Sequence, residues 1–361
     1  MDAIIVFSMS TQKWSFRKKL TLITFLLLAI VIIVGWKQIA QAWLVVGKVN
    51  VGIFLLAIPV QLLSYCTTAG ITATYLAAKG DLKAISWRKV LRISVESNFV
   101  DNIIPVPGAA GFSYTSWMLN RFGVSASRAI TSQIVRYALI FASFVVILSV
   151  SVIALFFDHA INKVLATVAF IIILITVGII VFGLYMLSNH MRMIKMSGWL
   201  TRVVNKLGSV FTRGKKSQIL EPESVDKFFG DVHQDYLEII KDKKILIGPF
   251  LCAMASNILD ASLIYVVFLS LNCYVNPALF FVAFGLALIA SIFAVTPSGM
   301  GAFETLMVGF LITSSSIQAN VAIAGTLLAR STLFVITTVI GYVFYQLTIN
   351  KYGKISKPAD F

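Results

Sequence analysis

The segment Pro297-Ser298-Gly299-Met300-Gly301-Ala302-Phe303-Glu304 interrupts an otherwise apolar stretch of the chain. Proline lacks a backbone donor and glycine permits unusual dihedral angles, so this segment ends one helix and begins another. A broken backbone at membrane depth survives only where protein buries it or a water-filled cavity solvates it. The pattern therefore predicts a re-entrant hairpin over residues 276–313. Two ordinary spans joined by a Pro-Gly turn remain the alternative, because both arms are long.

A similar interruption lies in the first half of the chain. The segment Pro105-Val106-Pro107-Gly108-Ala109-Ala110-Gly111 separates two shorter arms and predicts a second hairpin over residues 84–120. Arg136 follows Gly108 by 28 residues, and Arg330 follows Gly301 by 29 residues. Each half thus carries a hairpin and then a span with one arginine. This pattern predicts an internal repeat, to which chance spacing is the alternative. An inverted repeat with broken helices would indicate a binding site near the bilayer midplane.

Long apolar runs flank these two units. Of the 361 residues 58% are hydrophobic and 12% are charged, whereas soluble domains carry about 25% charged residues. This composition excludes an ordinary cytosolic enzyme, a disordered chain and a disulfide scaffold. It predicts an all-α polytopic membrane protein with about six full transmembrane helices and two Pro/Gly-broken re-entrant hairpins in an inverted repeat. The six runs are Leu20–Trp36, Val51–Leu76, Ile130–Phe157, Val164–Leu187, Ile245–Leu271 and Val321–Leu347.

Lysine and arginine are distributed unevenly between the loops. With the N-terminus in the cytoplasm, 25 of the 30 basic residues fall in cytoplasmic segments and 3 in outside loops, a strong positive-inside bias. Basic loops facing anionic lipid explain the net charge of +15, so we expect no nucleic-acid partner. The predicted regions are a cytoplasmic N-terminus (1–19), a first membrane half (20–187), a basic cytoplasmic loop (188–244), a second membrane half (245–347) and a cytoplasmic tail (348–361).

The loop at 188–244 contains two amphipathic patterns. Apolar residues recur at helical spacing over Leu200–Phe211 with arginine and lysine between them, which predicts a helix at the membrane surface. A second set with the same period runs from Val225 to Ile240 and has an acidic opposite face. We interpret the loop as a membrane-surface linker, because it is too short for a separate catalytic domain.

A few ionisable residues lie in or beside the apolar segments, where a charge costs at least about 2.5–3.5 kcal/mol. One interpretation is an ion pair that docks a hairpin on its span, such as Glu304 with Arg330. The other is that the arginines bind an anionic head group, because the planar guanidinium bonds two phosphate oxygens at once, with help from helix N-termini at the breaks. The candidate substrate-binding residues are Arg136, Arg330, Glu304, Asp101, Asn102 and Asp260, and the hairpin breaks are Pro105, Pro107, Gly108, Gly111, Pro297, Gly299 and Gly301.

Signals of enzyme chemistry are missing from the sequence. It contains no Walker loop, dinucleotide-binding glycine pattern, nucleophile elbow or cluster with metal-ligand spacing. The three cysteines and three histidines are scattered, so we expect no metal, no cofactor and no catalytic residue. ATP is therefore not expected to be the direct energy source.

The two broken segments resemble those of a known family. Asn102 to Gly111 and, more specifically, Pro297 to Glu304 are similar to the hairpins of the flippase-like membrane domain of lysylphosphatidylglycerol synthases, and Arg136 and Arg330 match its arginines. The resemblance covers about residues 15–350. It implies a lipid flippase-like fold and a substrate among anionic, aminoacylated or polyprenyl-linked lipids. Phe112 and Thr115 depart from the family pattern, and we expect no counterpart of the family's soluble aminoacyl-transferase domain.

Three functions follow from these observations. The first is a lipid translocator that alternates access to a midplane site. The second is a secondary transporter of a small anionic solute with Asp260 or Glu304 as its ion site, and the third is a non-transporting subunit that presents lipid to a glycosyltransferase. The expected partners are anionic or polyprenyl-linked membrane lipids, with a homo-oligomer or a lipid-modifying enzyme as further options. The expected location is a cell membrane of bacterial type, with both termini cytoplasmic.

Overall fold

A computed structural model describes residues 46–81, 85–103, 109–157, 163–196, 198–199, 202, 222–293 and 299–352, and within them it is helical without β-strands. A short 3-10 turn, Lys243–Leu246, precedes the helix that begins at Ile247. The helices are α1 Val51–Leu55, α2 Ala57–Ala78, α3 Trp87–Ile103, α4 Ala109–Arg121, α5 Ala126–Phe157, α6 Lys163–Leu187, α7 Pro222–Lys241, α8 Ile247–Ser270, α9 Ala278–Phe293, α10 Ala302–Ser314 and α11 Ala319–Tyr352.

Five helical stretches in the described residues are long and apolar enough to cross a membrane. They coincide with five of the six predicted runs, and the sixth, Leu20–Trp36, lies outside the described residues. The predicted all-α polytopic membrane fold is thereby confirmed. The five stretches are Val51–Ala78, Ala126–Phe157, Ala166–Leu187, Lys243–Ser270 and Ala319–Thr348.

Four shorter helices occupy the two predicted hairpins. Helices α3 and α4 contain 17 and 13 residues and pack against each other, and α9 and α10, with 16 and 13 residues, do the same. Each is shorter than the about 20 residues that a span requires. The connecting residues 104–108 and 294–298, with Pro105, Pro107, Gly108 and Pro297, lie outside the described part of the chain. The re-entrant arrangement therefore stays a prediction.

Two sets of four consecutive helices have matching lengths. Helices α2 to α5 contain 22, 17, 13 and 32 residues, and α8 to α11 contain 24, 16, 13 and 34. Arg136 and Arg330 both lie about three turns into the last helix of their set. We call α2–α5 the first unit and α8–α11 the second unit.

The first helices of the two units, α2 and α8, form an extensive contact through small and polar residues. As residue numbers rise along α2, the numbers of their partners on α8 fall, so the helices are antiparallel. Equivalent helices that run in opposite directions are the arrangement of an inverted repeat. The contacts pair Ser64 with Asp260, Thr68 with Ser256, Gly70 with Cys252 and Thr74 with Gly248.

The two units also contact each other through two equivalent pairs of helices. Helix α3 packs on α11, where Phe99 lies so close to Gly341 that a Cβ atom there would be 2.4 Å from the Phe99 Cβ. Helix α9 packs on α5, where a Cβ atom at Gly285 would be 2.1 Å from Cζ of Phe144. In both places glycine lets a phenylalanine of the other unit approach the helix backbone. The second helix of each unit thus lies against the last helix of the other.

Helix α6 stands at the edge of this arrangement and exposes large apolar side chains. Phe170, Leu174 and Phe182 are each more than 60% exposed. An apolar surface of this kind is expected to face lipid in a membrane protein.

Helix α7 contains the whole of the second amphipathic pattern predicted for the 188–244 loop, Val225 to Ile240. Its apolar residues Phe229 and Val232 are buried against Met193, as that pattern predicts, whereas the Leu200–Phe211 pattern lies outside the described residues. Four side chains join α7 to the ends of α2 and α5 through two short ion pairs. Nη1 of Arg128 lies 2.6 Å from Oδ1 of Asp235, and Nζ of Lys79 lies 2.6 Å from Oε2 of Glu238.

These ion pairs affect the two acidic residues of α7 differently. The hydrogen bond from Lys79 lowers the pKa of Glu238 below its ordinary value. Burial raises the pKa of Asp235, and the opposing effect of Arg128 is smaller. Glu238 is therefore the group whose ionised form the contact favours.

Candidate functional site

A cavity of about 520 Å³ lies between α2 and α3 of the first unit and α8, α10 and α11 of the second. Its wall contains five of the six predicted substrate-binding residues, namely Asp101, Asn102, Asp260, Glu304 and Arg330. Polar groups that converge in one cavity at a repeat interface are typical of a transporter site. The remaining wall residues are Gln61, Ser64, Tyr65, Thr68, Asn98, Met300, Leu327, Ser331, Leu333, Phe334, Val335 and Thr337.

Glu304 and Arg330 form an ion pair in this wall. Nε of Arg330 donates to Oε1 of Glu304 at 3.0 Å, and the two side chains are 22% and 17% exposed. The other carboxylate oxygen of Glu304 accepts the backbone N–H of Gly301 at 2.6 Å. Gly301 has a φ of +90°, which favours glycine, and it precedes the first residue of α10. The ion pair between Glu304 and Arg330, which was one of the two interpretations of these charges, is present in the structure and borders the cavity.

Asp101 holds the other hairpin in a comparable way. Its Oδ1 accepts the backbone N–H of Gly111 at 2.7 Å, which ties the end of α3 to the beginning of α4. A Cβ atom at Gly111 would lie 2.1 Å from Oδ2 of Asp101 and 2.5 Å from Oγ of Ser97. Only glycine fits so close to this carboxylate. In both hairpins, therefore, a cavity carboxylate bonds to a glycine N–H beside the break.

Arg136 differs from Arg330 in its surroundings. Its side chain is buried, the residue being 6% exposed, and it does not belong to the cavity wall. Nη1 donates to Oε1 of Gln133 at 3.2 Å, while Nε has no hydrogen-bond partner among the described residues. Its charge interacts with the carboxylates of Asp101 and Asp260, and no described ion pair within 4.0 Å includes it. The guanidinium therefore retains a donor that an additional acceptor could use.

Asp260 is the acidic residue that α8 contributes to the cavity. Ser64 of α2 donates its hydroxyl hydrogen to Oδ1 of Asp260. One helical turn away, the hydroxyl groups of Thr68 and Ser256 lie 2.8 Å apart. The polar contacts of α2 and α8 therefore continue directly into the cavity wall.

Four wall residues of α2 were not among the predicted site residues. They are spaced by three and four residues within an apolar run, and this spacing places them on one face of the helix. A periodicity search restricted to polar residues inside the spans would have found them. These residues are Gln61, Ser64, Tyr65 and Thr68.

Two other polar residues of the helices, Glu96 and Asn257, have structural partners away from the cavity. Glu96 is fully buried and accepts hydrogen bonds from Arg92 at 2.8 Å and Tyr114 at 2.7 Å, and also from Thr348 of α11. Asn257 donates to the Ile140 carbonyl at 2.9 Å and so joins α8 to α5. These groups stabilise contacts between helices.

The charges around the cavity favour a ligand with both positive and negative groups. Asp101, Asp260 and Glu304 supply three acids, whereas Arg330 and the nearby Arg136 supply two cations. In the part of the chain that the structure describes, no group of three histidine, cysteine or acidic residues is suited to a metal ion. The wall residues offer a ligand hydrogen bonds and charge, together with the apolar side chains of α11.

Comparison with known proteins agrees with these features. A family model for the lysylphosphatidylglycerol synthase TM region matches residues 19–341, which include every residue of the cavity wall. The UPF0104 membrane protein MJ1595 of Methanocaldococcus jannaschii is 22% identical to this chain over 268 residues, which make up 72% of this chain and 74% of the relative. These matches confirm the resemblance that the two hairpin motifs indicated.

Proposed function

The chain belongs to the lysylphosphatidylglycerol synthase TM region family, and on that premise we propose that it moves a lipid between the two leaflets of a cell membrane. The substrate would be an anionic, aminoacylated or polyprenyl-linked lipid whose head group enters the cavity. Transport would proceed by alternating access, with the first and second units opening the cavity to one side at a time. We propose this role for the membrane region itself, without a catalytic step.

The observation that carries this proposal is the position of the cavity between two units related by antiparallel contacts. Charged residues from both units meet there, and each hairpin contributes a carboxylate bound to a glycine N–H. A head group that bound either carboxylate, or Arg330, would therefore change a contact that holds a hairpin in place. This connection supplies a physical route from ligand binding to a change in access.

The proposed roles of the site residues follow from their contacts. Arg330 lies in the cavity wall and would bind the head-group phosphate after separation from Glu304. The buried Arg136 would bind it through Nε once the movement of the two units extends the cavity to this residue. Asp101, Asn102 and Asp260 would contact hydroxyl or amino groups of the head group. The excess of acids over bases favours a head group that carries an amine in addition to its phosphate.

Lipid translocation in proteoliposomes tests this function. We expect the purified protein to move fluorescent lipids with amine-bearing phosphate head groups faster than lipids with a phosphate alone. Arg136→Ala and Arg330→Ala should lower the rate by at least tenfold. Arg→Lys at either position should fail as well, because lysine cannot make the paired planar contact.

The exposed Arg88 provides matched control variants, Arg88→Ala and Arg88→Lys, and thermal stability is measured on every sample. Stable Arg136→Ala and Arg330→Ala proteins that move lipid at the normal rate would refute the head-group role. Transport of a soluble anion without any lipid movement would instead favour the small-solute transporter.

We further propose that both termini and the 188–244 loop are cytoplasmic and that the loop before α11 lies outside, in accord with the distribution of basic residues. A single cysteine at Ser217 should resist an impermeant reagent added to intact cells that have a cysteine-free background. A cysteine at Gln318 should react with it. The reverse pattern of labelling would overturn this topology.

A further inference from the structure

Gln61 lies in the cavity wall and carries a buried side-chain oxygen atom. The residue is 5% exposed and belongs to the cavity wall. Its amide group interacts with the Tyr65 hydroxyl, but among the described residues no donor reaches its Oε1 atom. A buried acceptor without a donor is costly, so this atom is expected to have a ligand in the working protein.

Further oxygen atoms lie along the same face of α2. Ser64 and Thr68 follow Gln61 by three and seven residues, and this spacing places all three on one side of the helix. The hydroxyl of Ser64 is hydrogen-bonded to Asp260, and that of Thr68 to Ser256. This part of the wall therefore presents carbonyl, hydroxyl and carboxylate oxygens and a single negative charge.

We propose that Gln61, Ser64 and Asp260 bind a sodium ion, and that this ion couples to the lipid translocation proposed above. Small, hard cations prefer oxygen ligands of this kind. One carboxylate balances the charge of a monovalent ion, whereas protein sites for calcium usually contain several carboxylates. The hydrogen-bonded contact between α2 and α8 holds the ligands together across the two units.

The same geometry connects the ion to the head group. The charge of Arg136 interacts with Asp260, so a cation bound to Asp260 weakens that attraction. The guanidinium of Arg136 then becomes a better site for the head-group phosphate. The hydroxyl of Tyr65 lies 2.5 Å from Oγ1 of Thr337 on α11, the helix that carries Arg330. Sodium should therefore raise the affinity for lipid, and lipid should raise the affinity for sodium by the same factor.

Thermal unfolding of the full-length protein in detergent tests the site with sodium alone. At constant ionic strength, replacing choline by saturating sodium should raise the unfolding temperature by on the order of 2 °C. Potassium should raise it less. Gln61→Leu should abolish the sodium effect and still fold, because the hydrogen bond between Ser64 and Asp260 remains. Asp260→Asn should abolish the effect as well.

Glu238→Gln is the matched control, since it neutralises a carboxylate of α7 that is not part of the cavity wall, and it should retain the sodium effect. Equal unfolding temperatures in sodium and choline, or a sodium effect that survives in both Gln61→Leu and Asp260→Asn, would overturn the site. A dependence on pH without one on sodium would assign Asp260 to protons and also overturn it. Because no lipid substrate is added, a sodium effect in a protein that moves no lipid would leave this site standing while the proposed function fails.

Discussion

Replacing Glu304 should affect stability through two separable interactions. The carboxylate accepts the Gly301 N–H at 2.6 Å and receives Nε of Arg330 at 3.0 Å. Loss of a helix N-terminal cap costs about 1 kcal/mol, and a hydrogen bond between charged groups contributes about 1.5–3 kcal/mol. Because the pair is about one-fifth exposed, we take a value near 2 kcal/mol for it. Glu304→Ala should therefore lower the free energy of unfolding by about 3 kcal/mol.

Glu304→Gln separates the two contributions. The amide oxygen can still accept the Gly301 N–H, so only the charge interaction with Arg330 weakens, and the expected loss is about 1–2 kcal/mol. Chemical unfolding of the purified protein in detergent measures both variants. The double variant Glu304→Ala/Arg330→Ala should lose less than the sum of the single losses, because the two groups interact. Equal losses for the Ala and Gln variants, or an additive double variant, would refute this assignment.

Three further outcomes follow from the structure. Gly301→Ala should destabilise the protein by about 1–2 kcal/mol in the same unfolding assay, because φ at this position is +90°, and an unchanged midpoint would contradict the described turn. Gly341→Ala should destabilise by separating α3 from α11, whereas Gly178→Ala, with no atom within 4 Å of its Cβ position, should stabilise by about 0.5–1 kcal/mol. The Lys79–Glu238 pair should hold α7 at neutral pH and weaken as the pH falls through the lowered pKa of Glu238; hydrogen exchange of α7 measures this, and Glu238→Gln should remove this weakening while the contribution of Asp235 remains.

Hydropathy alone predicted the long helices, because an uninterrupted apolar run of sufficient length has few alternatives in a membrane. Proline and glycine located the interruptions for the same kind of local reason. The pairing of Glu304 with Arg330 could also be proposed, since each is an expensive charge that needs a partner. These predictions depend on residue type and on spacing within one segment.

Contacts between segments that are distant in the sequence could not be predicted from residue type and spacing. Gln61 and Ser64 are ordinary polar residues in an apolar run, and only the packing of α2 on α8 brings them to Asp260. Similarly, the sequence treats Arg136 and Arg330 as equivalents. Their difference arises because Glu304 reaches Arg330, whereas Asp101 is bound to Gly111 and does not reach Arg136 within ion-pair distance.

That difference between the arginines has a consequence for the proposed alternating-access cycle. In a transporter built from two inverted repeats, the two repeats exchange conformations when the protein changes from facing one side of the membrane to facing the other. Glu304 is the third residue of α10, whereas the third residue of α4 is Gly111. The first unit therefore has no acidic side chain at the place from which Glu304 reaches Arg330. Separation of Glu304 from Arg330 would be a movement with no counterpart in the first unit, and paired spectroscopic labels on α10 and α11 could follow it.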